Sequence, residues 1–543
     1  MAFITGTVNN RKFIRQISGK NIKPASMKKL FRYTPLTVTI LFLTFAGLSC
    51  SQNRAEKSLP RSTPEAEGIS SKAIITFLDS TATHVTEFHG YMVIRHGKVV
   101  AEGWWDPFRP DLKHTLYSTS KSFTSTAVGL AASEGKLNVS DKLISFFPEY
   151  LPDSISPYLA ELELQDLLQM STGQRRESST ATNEWIRAFL ATPVEMEPGT
   201  RYRYSSLASF MLSATVQKVT GQKVIDYLTP RLFEPLGIEG ADWETNPEGI
   251  NTGGWGLRLK TEDLAKLGLL YLRKGKYNGK RILPEEWVEK ATSLKIYQNP
   301  EMTQARRDSS NDSVKGYCWQ FWRARNNSYM ANGAFGQFIL IIPDKDAIVV
   351  FNAESSDMWG ELGMVWDYIY PGIMDEALPE DPESLAELRK KSGSLSIPPP
   401  PATQNDEISS MISGRTISLS ENMRQIQAMT LQFRNGLCIL NMVTDTASFD
   451  FSFGSGTWHP GETTKHGPSI FARAFNNLNG LPPFKVVGAY TWNEDNSLEL
   501  ILRYIDSLHT EKYIFHFDGD KVTVDLGDSI TPQNRTISVE GTF

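Results

Sequence analysis

Ser118 and Lys121 stand three residues apart at the head of an apolar stretch. In the first turn of a helix that spacing puts both side chains on one face, with about 5–6 Å between their Cβ atoms. A serine hydroxyl is a poor nucleophile until a base takes its proton, and a lysine held out of water can be that base. The helix N-terminus adds a positive end beside any oxyanion that forms there. The pair therefore reads as an acyl-transfer nucleophile and its base. Spacing alone does not single it out. Ser26/Lys29 repeats it in the leader, and Ser133/Lys136 repeats it across a helix end.

The elements around the pair must decide. After Lys121, Phe123, Val128 and Leu130 lie among Ala127, Gly129, Ala131 and Ala132, which predicts a buried helix closed by Gly135. Before it, residues 90–105 hold two β-rich runs either side of His96-Gly97-Lys98, a hairpin signal. Residues 162–173 predict a second short helix ending in Gly173. Residues 195–221 pass a Pro-Gly turn and an alternating Tyr202/Tyr204 pair, then enter a helix from about Leu207. On a strand the two tyrosines share a face, so they are rivals for one role. A Thr261 cap opens a further apolar helix. Residues 329–354 give two apolar strands around a turn at Pro343-Asp344-Lys345.

Taken in order, Ser118-Thr-Ser-Lys121, Tyr204-Ser-Ser206 and the strand carrying Asn332-Gly333 resemble the serine β-lactamase and penicillin-binding-protein superfamily. The likeness is greatest to class C β-lactamase-related esterases, D-aminopeptidases and 6-aminohexanoate-dimer hydrolases. It runs from Leu59 to about Leu378, through Asp166-Leu167-Leu168, Pro198-Gly199-Thr200, Pro235-Leu236-Gly237, Asp263-Leu264-Ala265 and Gly336-Gln337. The resemblance implies an α+β fold, an antiparallel sheet flanked by helices beside a helical subdomain. It implies Ser118 as the acylated nucleophile, Lys121 as its base and Tyr204 as the proton relay, its phenolate favoured by the nearby lysine. Ser206 would face the same cleft, where the pattern often has Asn. The backbone N–H groups of Ser118 and Ala334 would form the oxyanion hole, with Gly333 letting the strand approach closely. No metal or organic cofactor is implied.

The third motif departs from the pattern. β-Lactamases and DD-peptidases usually carry Lys or His there, and this chain has Ala331-Asn332-Gly333. Losing a charged contact to a substrate carboxylate in a desolvated site costs on the order of 2–5 kcal/mol. That favours an uncharged ester or amide, a small molecule or short peptide. Arg323 and Arg325 are the nearby cations that would substitute. Trp255, Trp319, Trp322 and Phe335 are candidates to line an acyl pocket. Two other readings stay open: a DD-peptidase or weak β-lactamase, and a non-catalytic binder of cell-wall peptides.

The whole chain sets the frame. Its 543 residues carry 56 Lys and Arg against 61 Asp and Glu, net −5, which suggests no nucleic-acid partner. No His-x-x-x-His or Cys-x-x-Cys pair suggests a zinc site. Residues 27–52 hold Lys28, Lys29 and Arg32, then an apolar run from Leu36 to Leu48, then Cys50. They resemble a lipoprotein signal in which Cys50 is lipidated, with an ordinary cleaved signal peptide as the alternative. Either places the mature protein outside the cytoplasm, in the periplasm or cell envelope, with any membrane contact through the lipid anchor. Cys318 and Cys438 then predict buried thiols rather than a disulfide framework.

The expected division is a leader and signal over 1–50, a tether over 51–58 and a hydrolase domain over 59–391. A Ser/Gly/Pro linker over 392–403 and a β domain over 404–543 follow. Turns at Asn435-Gly436, Asn493–Asn496 and Asp518–Asp520 divide alternating runs in the last part. Seven or eight strands are expected, as a barrel or a sandwich, serving as an appendage or as a rim to the active site.

Overall fold

A computed structural model gives the structure, which describes residues 58–475, 477–531 and 535–543, all within one compact unit. The signal, the tether up to residue 57 and the lipidation site at Cys50 lie outside the described residues.

Six antiparallel strands form the central sheet: β1 (Glu87–Arg95), β2 (Lys98–Trp104), β3 (Trp322–Arg323), β4 (Tyr329–Gly333), β5 (Gln337–Ile342) and β6 (Ala347–Glu354). Their spatial order is β2-β1-β6-β5-β4-β3. The hairpin between β1 and β2 turns on His96 and Gly97, at φ 51° and 79°, the left-handed pair a two-residue turn requires. Successive side chains point to opposite faces. Met92, Ile94, Ile339, Ile341, Ile348 and Val350 therefore face one core. Tyr91, Val93, Phe338, Leu340, Val349 and Phe351 face another. Because both faces are covered, the central strands carry continuous apolar runs, residues 91–94 in β1, 338–342 in β5 and 347–351 in β6, with the polar residues toward their ends.

Helix α1 (Ser71–Thr81) and the segments around Leu362–Ile369 and Leu388 cover the second face. The first face carries the helical subdomain: α2 (Ser120–Ser133), α3 (Leu164–Leu168), α4 (Ser206–Thr220) and α5 (Thr261–Leu272). Gly135, at φ 68°, ends the run beyond α2 as the sequence predicts. The second predicted helix is shorter than residues 162–173, because Met170 takes a left-handed φ of 60° and turns the chain away.

Among the described residues of the C-terminal domain there are ten strands: β7 (Thr416–Leu419), β8 (Ile426–Arg434), β9 (Leu437–Thr444), β10 (Ser448–Ser455), β11 (His459–Thr463), β12 (Phe484–Trp492), β13 (Leu498–Tyr504), β14 (Thr510–Asp518), β15 (Lys521–Asp528) and β16 (Ile537–Thr542). Their order is β10-β9-β8-β7-β16-β15-β14-β13-β12-β11, and a parallel pairing of Gly454–Ser455 with Ala489–Tyr490 joins β10 to β12. Nine strands thus close a barrel, with β11 added at its rim. The sequence anticipates fewer strands. It does not signal β7, β10 or β11, and β11 carries Pro460 and Gly461, which suit only an edge position.

Across residues 392–403 the chain is strapped to both domains. Asp106 N–H donates to Leu395 O at 3.0 Å, Ile397 N–H donates to Asp106 O at 2.7 Å, and Trp458 Nε1 donates to Ile397 O at 2.9 Å.

Candidate active site

The segment that carries Ser118, the candidate nucleophile, is pinned before it becomes helical. Leu116 N–H donates to Leu257 O at 3.0 Å, adding the segment to a short ribbon. Tyr117 then takes φ 44°, an uncommon conformation for a bulky residue, and turns the chain through residues 117–119 into α2. Thr119 Oγ1 donates to Gln337 O at 2.7 Å, tying the turn to β5. Strand β4 ends against the same turn. A Cβ on Gly333 would lie 2.2 Å from Leu116 O and 3.0 Å from Thr119 Oγ1, so only glycine fits.

Ser118 is partly exposed, whereas Lys121, one turn on, is 1% exposed. Lys121 Nζ donates to Ser118 Oγ at 3.0 Å, to Ser206 Oγ at 3.1 Å and to Gly254 O at 2.6 Å. Burial drives its pKa down to about 7, and the charge of Glu177 partly opposes that fall. A lysine so placed is about half neutral at pH 7, and the neutral amine can keep its two N–H donors on Gly254 O and Ser206 Oγ while its lone pair faces the Ser118 hydroxyl.

Tyr204 presents its ring 4.8 Å from Lys121 Nζ. Its phenol is pushed upward, chiefly by burial, with a hydrogen bond to Ser118 as partial compensation. Proximity to the lysine therefore does not make it a resting phenolate; it stands as a protonated acid. Tyr202 takes a different place, its ring 5.4 Å from that of Tyr317 and its hydroxyl buried without a hydrogen-bond partner. Ser205 caps α4 by accepting from Ala208 N–H at 3.1 Å, which sets Ser206 at the helix start facing Lys121.

Ala331, Asn332 and Gly333 end β4, with Ala334 and Phe335 following in a turn where Phe335 takes φ 63°. Ala331 is 1% exposed and belongs to the core between sheet and helices. Asn332 Nδ2 is buried without a hydrogen-bond partner. The substitute cations are committed elsewhere: Arg323 donates to Thr292 O and Asn327 Oδ1, and Arg325 pairs with Asp312. Both line a separate cavity of about 800 Å³ that includes none of Ser118, Lys121 and Tyr204. Of the four aromatic candidates, Trp322 lies 5.8 Å from the Tyr204 ring and Phe335 5.6 Å from the Tyr117 ring. Trp319 packs in the core on Trp287, and Trp255 is buried beneath Phe471 at 4.0 Å.

Three features escape sequence reasoning. The Gly254 carbonyl is one; Gly253 and Gly254 let their loop press on α4, where Cβ atoms would meet Ser209 O at 2.7 Å and Ser206 O at 2.5 Å. The paired glycines before Trp255 were the available signal. Glu177 is the second, an exposed carboxylate that accepts from Leu207 N–H at 2.8 Å and acts electrostatically on both Lys121 and Tyr204. The third lies in the barrel. His509 Nε2 is 2.6 Å from the Tyr117 hydroxyl, and its Nδ1 is 2.6 Å from Glu354 Oε1.

Comparison with known proteins gives a match between residues 82–361 and the family model described as Beta-lactamase. The 6-aminohexanoate-dimer hydrolase of Paenarthrobacter ureafaciens is 24% identical over 311 residues, covering 50% of this chain and 76% of that protein. Among solved structures, EstCE1, described as a hydrolase with promiscuous acyltransferase activity, aligns with 55% of this chain and 99% of its own at 15% identity and a TM-score of 0.45. An octameric penicillin-binding protein homologue from Pyrococcus abyssi aligns with 87% of this chain and 99% of its own, at 15% identity and a TM-score of 0.43.

Proposed function

Because this chain belongs to the beta-lactamase family, we propose that it is an exported serine hydrolase that cleaves an uncharged ester or amide through an acyl-enzyme on Ser118. The observation that carries the proposal is the buried Lys121 amine 3.0 Å from the partly exposed Ser118 hydroxyl, with its pKa brought to about 7.

Neutral Lys121 takes the Ser118 proton as Oγ attacks the substrate carbonyl. The oxyanion is received by the backbone N–H groups of Ser118 and Ala334, where donors at about 2.7–3.1 Å are needed. Tyr204, protonated at rest, passes its proton to the departing alkoxide or amine and recovers one from Lys121. Water then attacks the acyl-enzyme with the same pair as base and acid, returning Ser118. Gly254 O and Ser206 Oγ hold the amine on this path.

Two observations support a neutral substrate: Ala331 is buried at the position of the missing cation, and Arg323 and Arg325 are engaged elsewhere. The test is intact-mass analysis of the chain from Ser51 onward after brief exposure to a fluorophosphonate and, separately, to penicillin. Labelling of Ser118 by the fluorophosphonate alone is expected. Labelling by both would favour the DD-peptidase reading, and labelling by neither would remove the enzyme reading in favour of a binding cleft.

A further inference from the structure

The barrel reaches the nucleophile through one turn and one loop, and its contacts converge on Tyr117. Besides His509, the Tyr117 hydroxyl meets the Ile470 backbone and the Ser469 side chain, both in the long loop between β11 and β12. His509 is 1% exposed. A carboxylate can only accept, so Glu354 takes the Nδ1 hydrogen of His509; in the neutral imidazole Nε2 is then the acceptor that faces the Tyr117 O–H.

The same imidazole packs edge-on against Phe335, ring centres 4.9 Å apart, and 5.8 Å from the ring of Tyr117. Tyr117 precedes Ser118, and Phe335 follows Ala334. These neighbours are the two residues whose N–H groups are assigned to the oxyanion. Tyr117 and Phe335 both hold left-handed backbone, which bulky residues keep only where their surroundings impose it. The turn that carries His509 is held to the hydrolase domain: Thr115 Oγ1 donates to Ser507 Oγ at 3.2 Å, Asp506 lies 3.5 Å from Arg258, and Arg503 pairs with Glu87, the first residue of β1.

We propose that His509 is a positioning residue supplied by the barrel. By fixing Tyr117 and Phe335 it sets the two backbone donors of the oxyanion hole, so the barrel is part of the catalytic apparatus. The proposal rests on the reading of Ser118 as the acylated residue.

Its test is steady-state hydrolysis of a p-nitrophenyl butyrate ester by the full chain, with Ser118→Ala as the control for that reading. Asparagine can imitate Nδ1 of histidine and glutamine Nε2, so the two replacements separate the contact to Glu354 from the contact to Tyr117. His509→Asn and Tyr117→Phe should each lower kcat about 10- to 100-fold with KM within about twofold, the signature of a misplaced donor. His509→Gln should recover most of the loss, and His509→Asn combined with Tyr117→Phe should be no slower than either alone. Equal activity of the Asn and Gln variants, or wild-type kcat in Tyr117→Phe, would overturn the proposal and leave His509 as a contact between domains. Should His509→Asn not fold, Tyr117→Phe decides by the same criterion. Turnover that survives Ser118→Ala would instead remove the serine mechanism, whatever His509 does.

Discussion

Lys121 donates to the carbonyl of Gly254 at 2.6 Å, a closer contact than its 3.0 Å approach to Ser118. The amine is thus anchored by a backbone acceptor on one side and left aligned with the hydroxyl on the other. A buried lysine without a carboxylate partner titrates low, and the reaction should carry that signature.

The acid limb of kcat/KM should have an apparent pKa of about 7, activity rising with pH as Lys121 loses its proton. Glu177 raises the lysine pKa, so Glu177→Gln should move this limb to lower pH. A pH–rate profile of both proteins measures this directly. A limb that stays in place, or moves upward, would exclude Lys121 as the titrating base or Glu177 as its neighbour.

The same burial has a stability consequence. In the unfolded chain the lysine titrates near 10.5 and in the fold near 7, so between those values the unfolded state binds more protons and stability rises with pH. From pH 8 to 10 this group should contribute about 2 kcal/mol of added stability, a gain that Lys121→Met should lack. Denaturant unfolding of the two proteins at both pH values gives the comparison. Lys121→Met should also lose turnover while remaining folded.

Gly333→Ala should lower activity severely, because a methyl 2.2 Å from Leu116 O must push β4 away from the nucleophile turn. A loss of at least about 100-fold in kcat is expected from displacing an oxyanion donor. Gly135→Ala is the contrast: nothing lies within 4 Å of its added Cβ, though its left-handed backbone makes it mildly destabilising. Retained kcat in Gly333→Ala would contradict the assigned approach of β4.

A substrate's free carboxylate should bring no advantage. Replacing the terminal carboxylate of a test peptide by its methyl ester should leave kcat/KM for the amide bond unchanged or higher. A fall of more than about tenfold on esterification, equal to ~1.4 kcal/mol, would reveal a cation acting in the cleft.

The legible part of this protein is what repeats or clusters locally. Ser118 and Lys121 share a helical turn, the apolar runs of β1, β5 and β6 announce buried strands, and Tyr204-Ser-Ser206 marks the entry to α4. What the sequence conceals is carried by backbone atoms and by distance along the chain. Gly254 contributes a carbonyl, which every residue possesses, so no side-chain type advertises it. His509 meets Tyr117 across 392 positions, and nothing near either residue encodes the other. Tyr202 and Tyr204 are separated only by packing, since one turns toward Tyr317 and the other toward Lys121. Barrel closure rests on a two-residue parallel pairing, too short to leave a pattern.

The partner of the first strand has a further consequence, for the time before the protein is whole. β1 lies between β2 and β6, and β6 begins some 250 residues later. At about 5–20 residues per second, a ribosome needs roughly 12–50 s to supply that partner once β1 has emerged. Through that interval Tyr91 and Val93 have α1, already made, to pack on, with the Phe77 and Tyr91 rings 6.0 Å apart, but the edge of β1 that β6 will take stays unpaired. An apolar strand edge awaiting so distant a partner is a place where two incomplete chains can pair with each other, so refolding at low concentration should return more folded protein than refolding at high concentration.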